Sequence, residues 1–547
     1  MASKNTDNPE TRPLLPRQQH EPTTASNGSA TAGDVDVEEN RGFSFKRNLG
    51  TPEAFAVVVG IVIGSGIFTS PGSIDTNVPS PGAALLVWLV GGVLAWTGAS
   101  TMAELGTTIP GEGGVQPYLR YIFGDVFGFL AAWTWIVAVM PATQGILGIV
   151  FVESIFSSAG VTDQGDSVVH KVLAVLVISL VSVATSVSTK TTTRLNRFFV
   201  IAKFASIAAV VVAGVTVVFI HIAHPHREDV AVGGRDWFTK DWFGIRPTLN
   251  PDGSITDWGR MSQWELLGHY STALYGALWA YSGWDKAIYI SNELSAPAKQ
   301  LPLAINSAIP TIICCFILTN AAYYILLPWD VVSTTDSVAV TAITRLLGQG
   351  VGILAAVLIC LVVAGSMLGN AFIAGRMTVA AANQDWLPRA LAVLGRVGIP
   401  KTNDDDDDDD DDDNDDDEEE DTDADAETDE TASDAPINAT ILQTVLSAFY
   451  ILFGSFRALL TFNGLGEYSF FFLAVVGAIV LRFREPALER PYKPFLLVPV
   501  VFALVSGFVV ARGAIFEPML AAVLVALWVV GVAVYWGRKE ILRRTAE

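Results

Sequence analysis

Three glycines within seven residues, Gly60, Gly64 and Gly66, sit in an apolar run from Ala54 to about Ser70, with Pro71-Gly72 just beyond. A glycine inside a helix costs about 1 kcal/mol relative to alanine. Ser65 lies between two of them, so Gly64–Gly66 is the weakest point of a helix otherwise long enough to be most of a membrane span. In lipid an opened backbone is tolerated only where it lines a cavity or is covered by protein. The chemistry offered by such a break is that of bare main-chain N–H and C=O groups. A second stretch of this kind is Ala280-Tyr281-Ser282-Gly283-Trp284, which combines small, polar and aromatic residues at the centre of Leu274–Leu294. Two ionisable side chains lie in apolar surroundings, Lys203 within FVIAKFASIAAVV and Asp285 after Gly283-Trp284. An ionisable group inside a membrane is a functional candidate by default.

These residues need elements to position them, and the composition says which. The chain has 547 residues, 51% hydrophobic and 16% charged, with mean hydropathy +0.42. Its apolar segments fall at roughly 53–78, 82–107, 122–152, 168–189, 197–222, 265–293, 303–327, 349–380, 437–456, 464–483, 493–512 and 515–536. Each is near the length a bilayer requires, so the expectation is an all-α polytopic membrane protein with 12 transmembrane helices. The net charge of −22 has a local origin: 23 of the 56 acidic residues lie in 404–434, and the other 33 nearly balance 34 Lys and Arg. The membrane body is therefore close to neutral. Basic residues in the short loops, such as Lys190, Arg194, Arg389, Arg396, Arg482, Arg490 and Arg538, collect on one side, which places both termini in the cytosol. The expected divisions are a disordered cytosolic tail at 1–48 and a first group of five spans at 49–222. An extracellular loop at 223–264 and a second group of five at 265–483 follow, the latter carrying the acidic disordered insert 403–435 on the cytosolic side. Two further spans occupy 484–537, and a cytosolic tail 538–547.

Secondary transporters are often built from two inverted repeats whose first helices are each interrupted near the midplane. Spans one and six hold the two weak points, five spans apart, which is a stronger signal than either alone. Glycines serving close helix packing are the competing reading for span one. The expected user of the exposed main chain is the carboxylate and ammonium of an amino acid.

The motifs GIVIGSGIFTSPG, AELGTTIPGEGG at Ala103–Gly114, AYSGWD at Ala280–Asp285, NELSAPAKQLPLAI at Asn292–Ile305 and LRFREPALERPYKP at Leu481–Pro494 occur in one order. In this the chain resembles the amino acid–polyamine–organocation superfamily from about Thr51 to Arg538. Within it the chain most resembles the L-type amino acid transporters and related fungal, methionine-type amino acid permeases. The resemblance implies a LeuT-type 5+5 inverted repeat with broken helices 1 and 6. It implies that Gly64, Ser65, Gly66 and Ile67 offer N–H groups to a substrate carboxylate, which agrees with the positive end of a helix dipole there. Carbonyls of Val62, Ile63, Trp279 and Ala280 would accept from the ammonium, with Tyr281, Gly283 and Asp285 in the same broken segment. Trp279 stands where the family carries an aromatic gate, more often Phe; packing on lipid or a neighbouring helix is the alternative. Asp285 stands where relatives often have Asn, and either binds a cation or proton or pairs locally with Lys286. By the same resemblance Lys203 fills the place of a sodium ion and holds span one to span five, with Ser366 facing that region; the alternative is snorkelling to the cytosolic face. Val139 and Met140 would line the side-chain end of the site beside the kinking Pro141. Glu104, Glu293 and Arg376 look like a cytosolic gate, or else like helix-end caps.

Other classes fit less well. No segment matches the phosphate-binding pattern GxxxxGK[ST] of an ATP-driven pump. No nucleophile and base are spaced for an enzyme. His221, His224 and His226 are interrupted by Pro225, so no metal is expected, nor a cofactor or a nucleic-acid partner. The lining candidates are apolar and no acid stands out beyond Asp285. The expected substrates are therefore neutral, large or apolar amino acids such as methionine or leucine, and the resemblance, with Lys203 in the sodium place, implies sodium-independent secondary transport by exchange or proton symport, expected at the plasma membrane. A sensor that binds without flux is the alternative. Cys314, Cys315 and Cys360 all lie in apolar segments, and 153–171 contains none. Members of the family it resembles that need a heavy-chain subunit join it through a cysteine in the loop after span three, so the resemblance implies that, beyond the lipid bilayer and its substrate, this chain lacks a disulfide-linked heavy-chain subunit.

Overall fold

The computed structural model of the chain describes residues 50–109, 114–161, 167–187, 189–223, 237–239, 241–285, 295–393 and 436–546. The stretches read above as the N-terminal tail and the acidic insert, together with Lys286 and Glu293, lie outside them. The first expected span is in two pieces, α1 (Thr51–Val62) and α2 (Gly66–Asp75), separated by Ile63, Gly64 and Ser65. α3 (Pro81–Thr108) opens on Ser80, whose hydroxyl accepts from the Ala83 N–H at 3.2 Å, and Pro81 occupies the first helical position, where no N–H is needed.

The third expected span starts later than its apolar run. α4 (Val115–Phe123) is a separate short helix, and Gly124, at φ +100°, turns the chain into α5 (Asp125–Thr134). A π-helical turn at Trp135–Val139 leads into α6 (Met140–Ser158). Then come α7 (Val168–Val187) and α8 (Thr189–Ala223). Part of the segment 237–262 is a small hairpin, β1 (Thr248–Leu249) against β2 (Ile255–Thr256), antiparallel, with Thr248 opposite Thr256.

α9 (Gln263–Ala280) carries a full capping box between Ser262 and Glu265. It ends in a turn at Tyr281–Trp284 that Gly283 makes possible with φ +103°. The remaining helices are α10 (Pro297–Leu326), α11 (Trp329–Thr334), α12 (Val338–Leu347), α13 (Gln349–Asn383), α14 (Ile437–Phe453), α15 (Phe456–Arg484), α16 (Leu497–Phe516) and α17 (Pro518–Ala546). α15 begins eight residues before its expected start, because Ser455 caps it by accepting from the Ala458 N–H.

Among the described residues nine helical segments are long and apolar enough to cross a membrane, and α14 is a shorter apolar helix. Large apolar side chains on their outer faces, such as Leu180, Phe219, Leu354 and Met519, are exposed. A soluble monomer rarely carries so much exposed apolar surface. The chain is an all-α polytopic membrane protein. Inside it α6 packs on α13 and α14, α3 on α10, α15 on α16, and the two pieces that concern the site, α2 and α9, on each other.

Candidate functional site

The break in the first span meets the end of α9. Gly66, the first residue of α2, lies against Ala280, the last residue of α9; a Cβ on Gly66 would overlap the Ala280 backbone and come within 3.1 Å of its nitrogen. Glycine is therefore required here for close approach, not for a special backbone angle. The Ser65 side chain makes no capping bond to α2, so the first-turn N–H groups of that helix are not covered by it. Beside them α9 presents its C-terminal carbonyls. The Trp279 carbonyl already accepts the Ser282 N–H at 3.0 Å, as part of the turn that follows.

A cavity of about 60 Å³ opens at this meeting point. Gly64, Ser65, Gly66, Trp279 and Ala280 form its broken-helix side, and Val139, Met140 and Ser366 face them. Pro141 explains the third wall. It has no N–H to give the Val137 carbonyl, and the Tyr450 hydroxyl donates to that carbonyl instead, at 3.1 Å. Gln443 Nε2 similarly donates to the Ile136 carbonyl at 3.0 Å. The widened π turn ends at Val139, where it delivers Val139 and Met140 to the cavity. Gln144 Nε2 donates to the Met367 carbonyl at 2.8 Å and ties α6 to α13 beside Ser366.

Nine of the residues expected from the sequence thus converge on one cavity: Val62, Gly64, Ser65, Gly66, Val139, Met140, Trp279, Ala280 and Ser366. Others lie off it. Ile63 and Ile67 are buried in the surrounding core. Tyr281 packs with Phe316 and Trp88, its ring 4.8 and 6.1 Å from theirs. Gly283 shapes the turn, and Asp285 is buried beyond it without reaching the cavity wall. Lys203 is enclosed by protein at 5% exposure, which disfavours snorkelling.

The reading of an apolar lining with no acid beyond Asp285 needs correction. Glu467 on α15 is 5% exposed and lines the cavity, as do Thr143, Ser282 and Asn370. Thr143 donates to Asn463 Oδ1 at 3.2 Å, one helical turn before Glu467, and Trp284 Nε1 approaches the Tyr468 hydroxyl at 3.5 Å immediately after it. The signal was present: Glu467 is an ionisable residue inside an apolar run, the criterion that singled out Lys203 and Asp285.

Two ion clusters close the ends of the bundle around this site. At the end where α2 finishes, Arg246 donates to both carboxylate oxygens of Asp75, at 2.7 and 2.6 Å, and the Tyr324 hydroxyl donates to Asp75 at 2.5 Å. Burial works against the Arg246 charge, but the Asp75 carboxylate outweighs it and holds the guanidinium above its usual range. Arg457 adds bonds to Thr76 Oγ1 at 2.7 Å and to Asp336 at 2.9 Å. At the opposite end Glu104 accepts from Arg482 and lies 3.4 Å from Arg490. Arg376 is exposed, its guanidinium 4.0 Å from the Phe372 ring, so the partners of Glu104 come from α15 and the loop after it.

Comparison with known proteins agrees with this architecture. The family model described as amino acid permease matches residues 49–536. The chain is 27% identical over 484 residues to the human b(0,+)-type amino acid transporter 1, covering 88% of this chain and 86% of that one. It is 26% identical over 520 residues to the mouse large neutral amino acids transporter small subunit 2, covering 94% and 85%. A membrane bundle in which an interrupted first helix meets the end of α9 at a glycine, matched by a permease model over nearly its whole length, belongs to the amino acid permease family of the amino acid–polyamine–organocation superfamily.

Proposed function

We propose that the chain is a secondary active permease for neutral L-amino acids with large or apolar side chains. It works by alternating access, without sodium, as an exchanger or a proton symporter. The observation that carries this is the contact of Gly66 with Ala280. It sets the positive end of the α2 dipole beside the negative end of the α9 dipole, about half a unit charge each. A zwitterionic head group presents the complementary pair, a carboxylate to the N–H groups of Gly64–Ile67 and an ammonium to the carbonyls of Val62, Ile63 and Ala280. Fixed main-chain dipoles hold both without desolvating extra ions.

Val139, Met140, Leu147 and Trp279 would take the side chain. A cavity of about 60 Å³ holds only a few waters. A large side chain therefore needs half-buried Trp279 to swing, which suits a gate. The enclosed ammonium of Lys203, in the place the resemblance gives to sodium, supports sodium independence. In this reading α1–α2 and α9 head two five-span repeats. The nine long segments, α14 and the two interrupted helices make twelve spans, with both termini cytosolic and the protein in the plasma membrane. Of the expected cytosolic gate, Glu293 and Arg376 remain proposed; Glu104, paired with Arg482 and Arg490, ties α3 to α15 and the loop after it instead. The name of the mouse relative, a transporter of large neutral amino acids, supports the substrate class. Cys314 and Cys315 on α10 and Cys360 on α13 lie inside apolar helices, which supports function without a disulfide-linked heavy subunit.

The test is uptake of labelled leucine and methionine into proteoliposomes with imposed pH or sodium gradients. Acceleration by internal amino acid is the result for exchange, and acceleration by an inward pH gradient the result for symport. Binding without flux would make the protein a sensor, and competition by lysine or glutamate but not by leucine would overturn the substrate class.

A further inference from the structure

The described lining of the cavity contains one ionisable side chain, which the main-chain account does not use. Glu467 lines it together with Ser65, Gly66 and Ala280 and is 5% exposed. Its helix is fixed on both sides of that position, by Thr143 to Asn463 before it and by Trp284 to Tyr468 after it. Gly466 lies against Val139: a Cβ there would be 3.4 Å from the nearer Val139 methyl group. α15 at this position is thus at the level of the interrupted helices. A carboxylate enclosed at membrane depth is costly to keep, and such groups usually face a bundle interior or a substrate path. A main-chain carbonyl offers an ammonium only a partial charge, and the Trp279 carbonyl is already engaged by the Ser282 N–H.

Resting on the amino acid reading above, we infer that Glu467 is the counter-ion of the substrate α-ammonium. α2 holds the carboxylate of the substrate with its N–H groups. Glu467 supplies the full negative charge at the other pole, and the carbonyls at the ends of α1 and α9 complete the ammonium's coordination. Glu467 is then the residue by which the permease distinguishes an α-amino acid from an α-hydroxy acid of the same shape. Charge-assisted hydrogen bonds are roughly twice as strong as neutral ones. A site that meets the ammonium with a full negative charge favours it over a neutral hydroxyl in the same place.

The probes are leucine and 2-hydroxyisocaproate, which differ only in ammonium against hydroxyl, competed against labelled leucine on the purified full chain. Wild type is expected to prefer leucine by about a hundredfold or more. E467Q should narrow that preference to below about tenfold by weakening leucine, with the hydroxy acid little changed, and E467D should retain more of it. A loss of both ligands in parallel, with the ratio kept, is what a structural role gives and overturns the inference. A second measurement needs no variant. A hydrophobic carbodiimide should modify Glu467 in the wild-type protein, and leucine should protect it while 2-hydroxyisocaproate does not; equal modification with and without leucine also overturns the inference. If the wild type binds and exchanges no amino acid at all, the parent reading fails instead.

Discussion

The two ends of the bundle are closed by ion clusters of similar chemistry and different attachment. At the α2 end, Asp75 belongs to the short second piece of the interrupted first span. Its partners come from three other places: Arg246 from the 241–249 segment, Tyr324 from α10, and Arg457, through neighbouring Thr76, from the start of α15. At the opposite end Glu104 belongs to unbroken α3, and both its arginines come from the end of α15 and the loop after it. The first cluster grips a piece of chain that has only ten helical residues. The second joins two long helices to each other. If α2 moves during transport, groups of the same kind would act as a lock on it at one end and as a brace between two long helices at the other. The second is also the more enclosed: Glu104, Arg482 and Arg490 are each nearly fully buried, while Arg457 and Asp336 are about a quarter exposed.

Loss of a buried partner should be the largest effect. Asp75→Ala leaves Arg246 without its carboxylate and should cost about 3–5 kcal/mol of stability, read as a fall in unfolding temperature. It should also open the α2 end. A cysteine placed at Ser282, in a chain whose native cysteines are replaced, should react faster with an impermeant thiol reagent from that side. Replacing Asp75 and Arg246 together with apolar residues of similar size should recover most of the stability and leave the label fast. Unchanged labelling in both would dissolve the distinction between lock and brace.

Glu104→Ala should cost a similar 3–5 kcal/mol, since two buried arginines lose their partner. In contrast to Asp75→Ala, labelling at position 282 from the α2 side should stay at the wild-type rate. Faster labelling would show that both clusters act as locks.

The smallest expected effect on stability is that of Asp336→Asn. A partly exposed ion pair is worth about 0.2–1 kcal/mol, so the unfolding temperature should hardly move. Labelling should still rise modestly, because Arg457 also holds Thr76 at the end of α2. A large stability loss would mean that this pair is structural.

What was legible in the sequence was local. Gly64–Gly66 and Ala280–Trp284 declared themselves because a glycine-weakened helix in lipid has few uses, and the apolar runs gave the long helices because bilayer thickness sets their length. The early start of α15 followed from Ser455, a single cap inside a region that hydropathy averages away. The lock at the α2 end was not legible, since Asp75 and Arg246, or Thr76 and Arg457, are far apart in the chain and meet only through the fold. Glu467 was missed although its surroundings marked it, and the apolar picture of the cavity came from weighing spans one, three and six without α15.

The account turns on the close approach of the start of α2 to the end of α9, and Gly66→Ala tests it most directly. The added methyl must push α2 away from Ala280. Overpacking of this kind costs about 1–3 kcal/mol, so the protein should still fold by thermal unfolding. Leucine counterflow in proteoliposomes should fall by about tenfold or more if the cost falls on the bound state. Counterflow at the wild-type rate in folded Gly66→Ala protein would contradict the claim that these two ends hold the substrate.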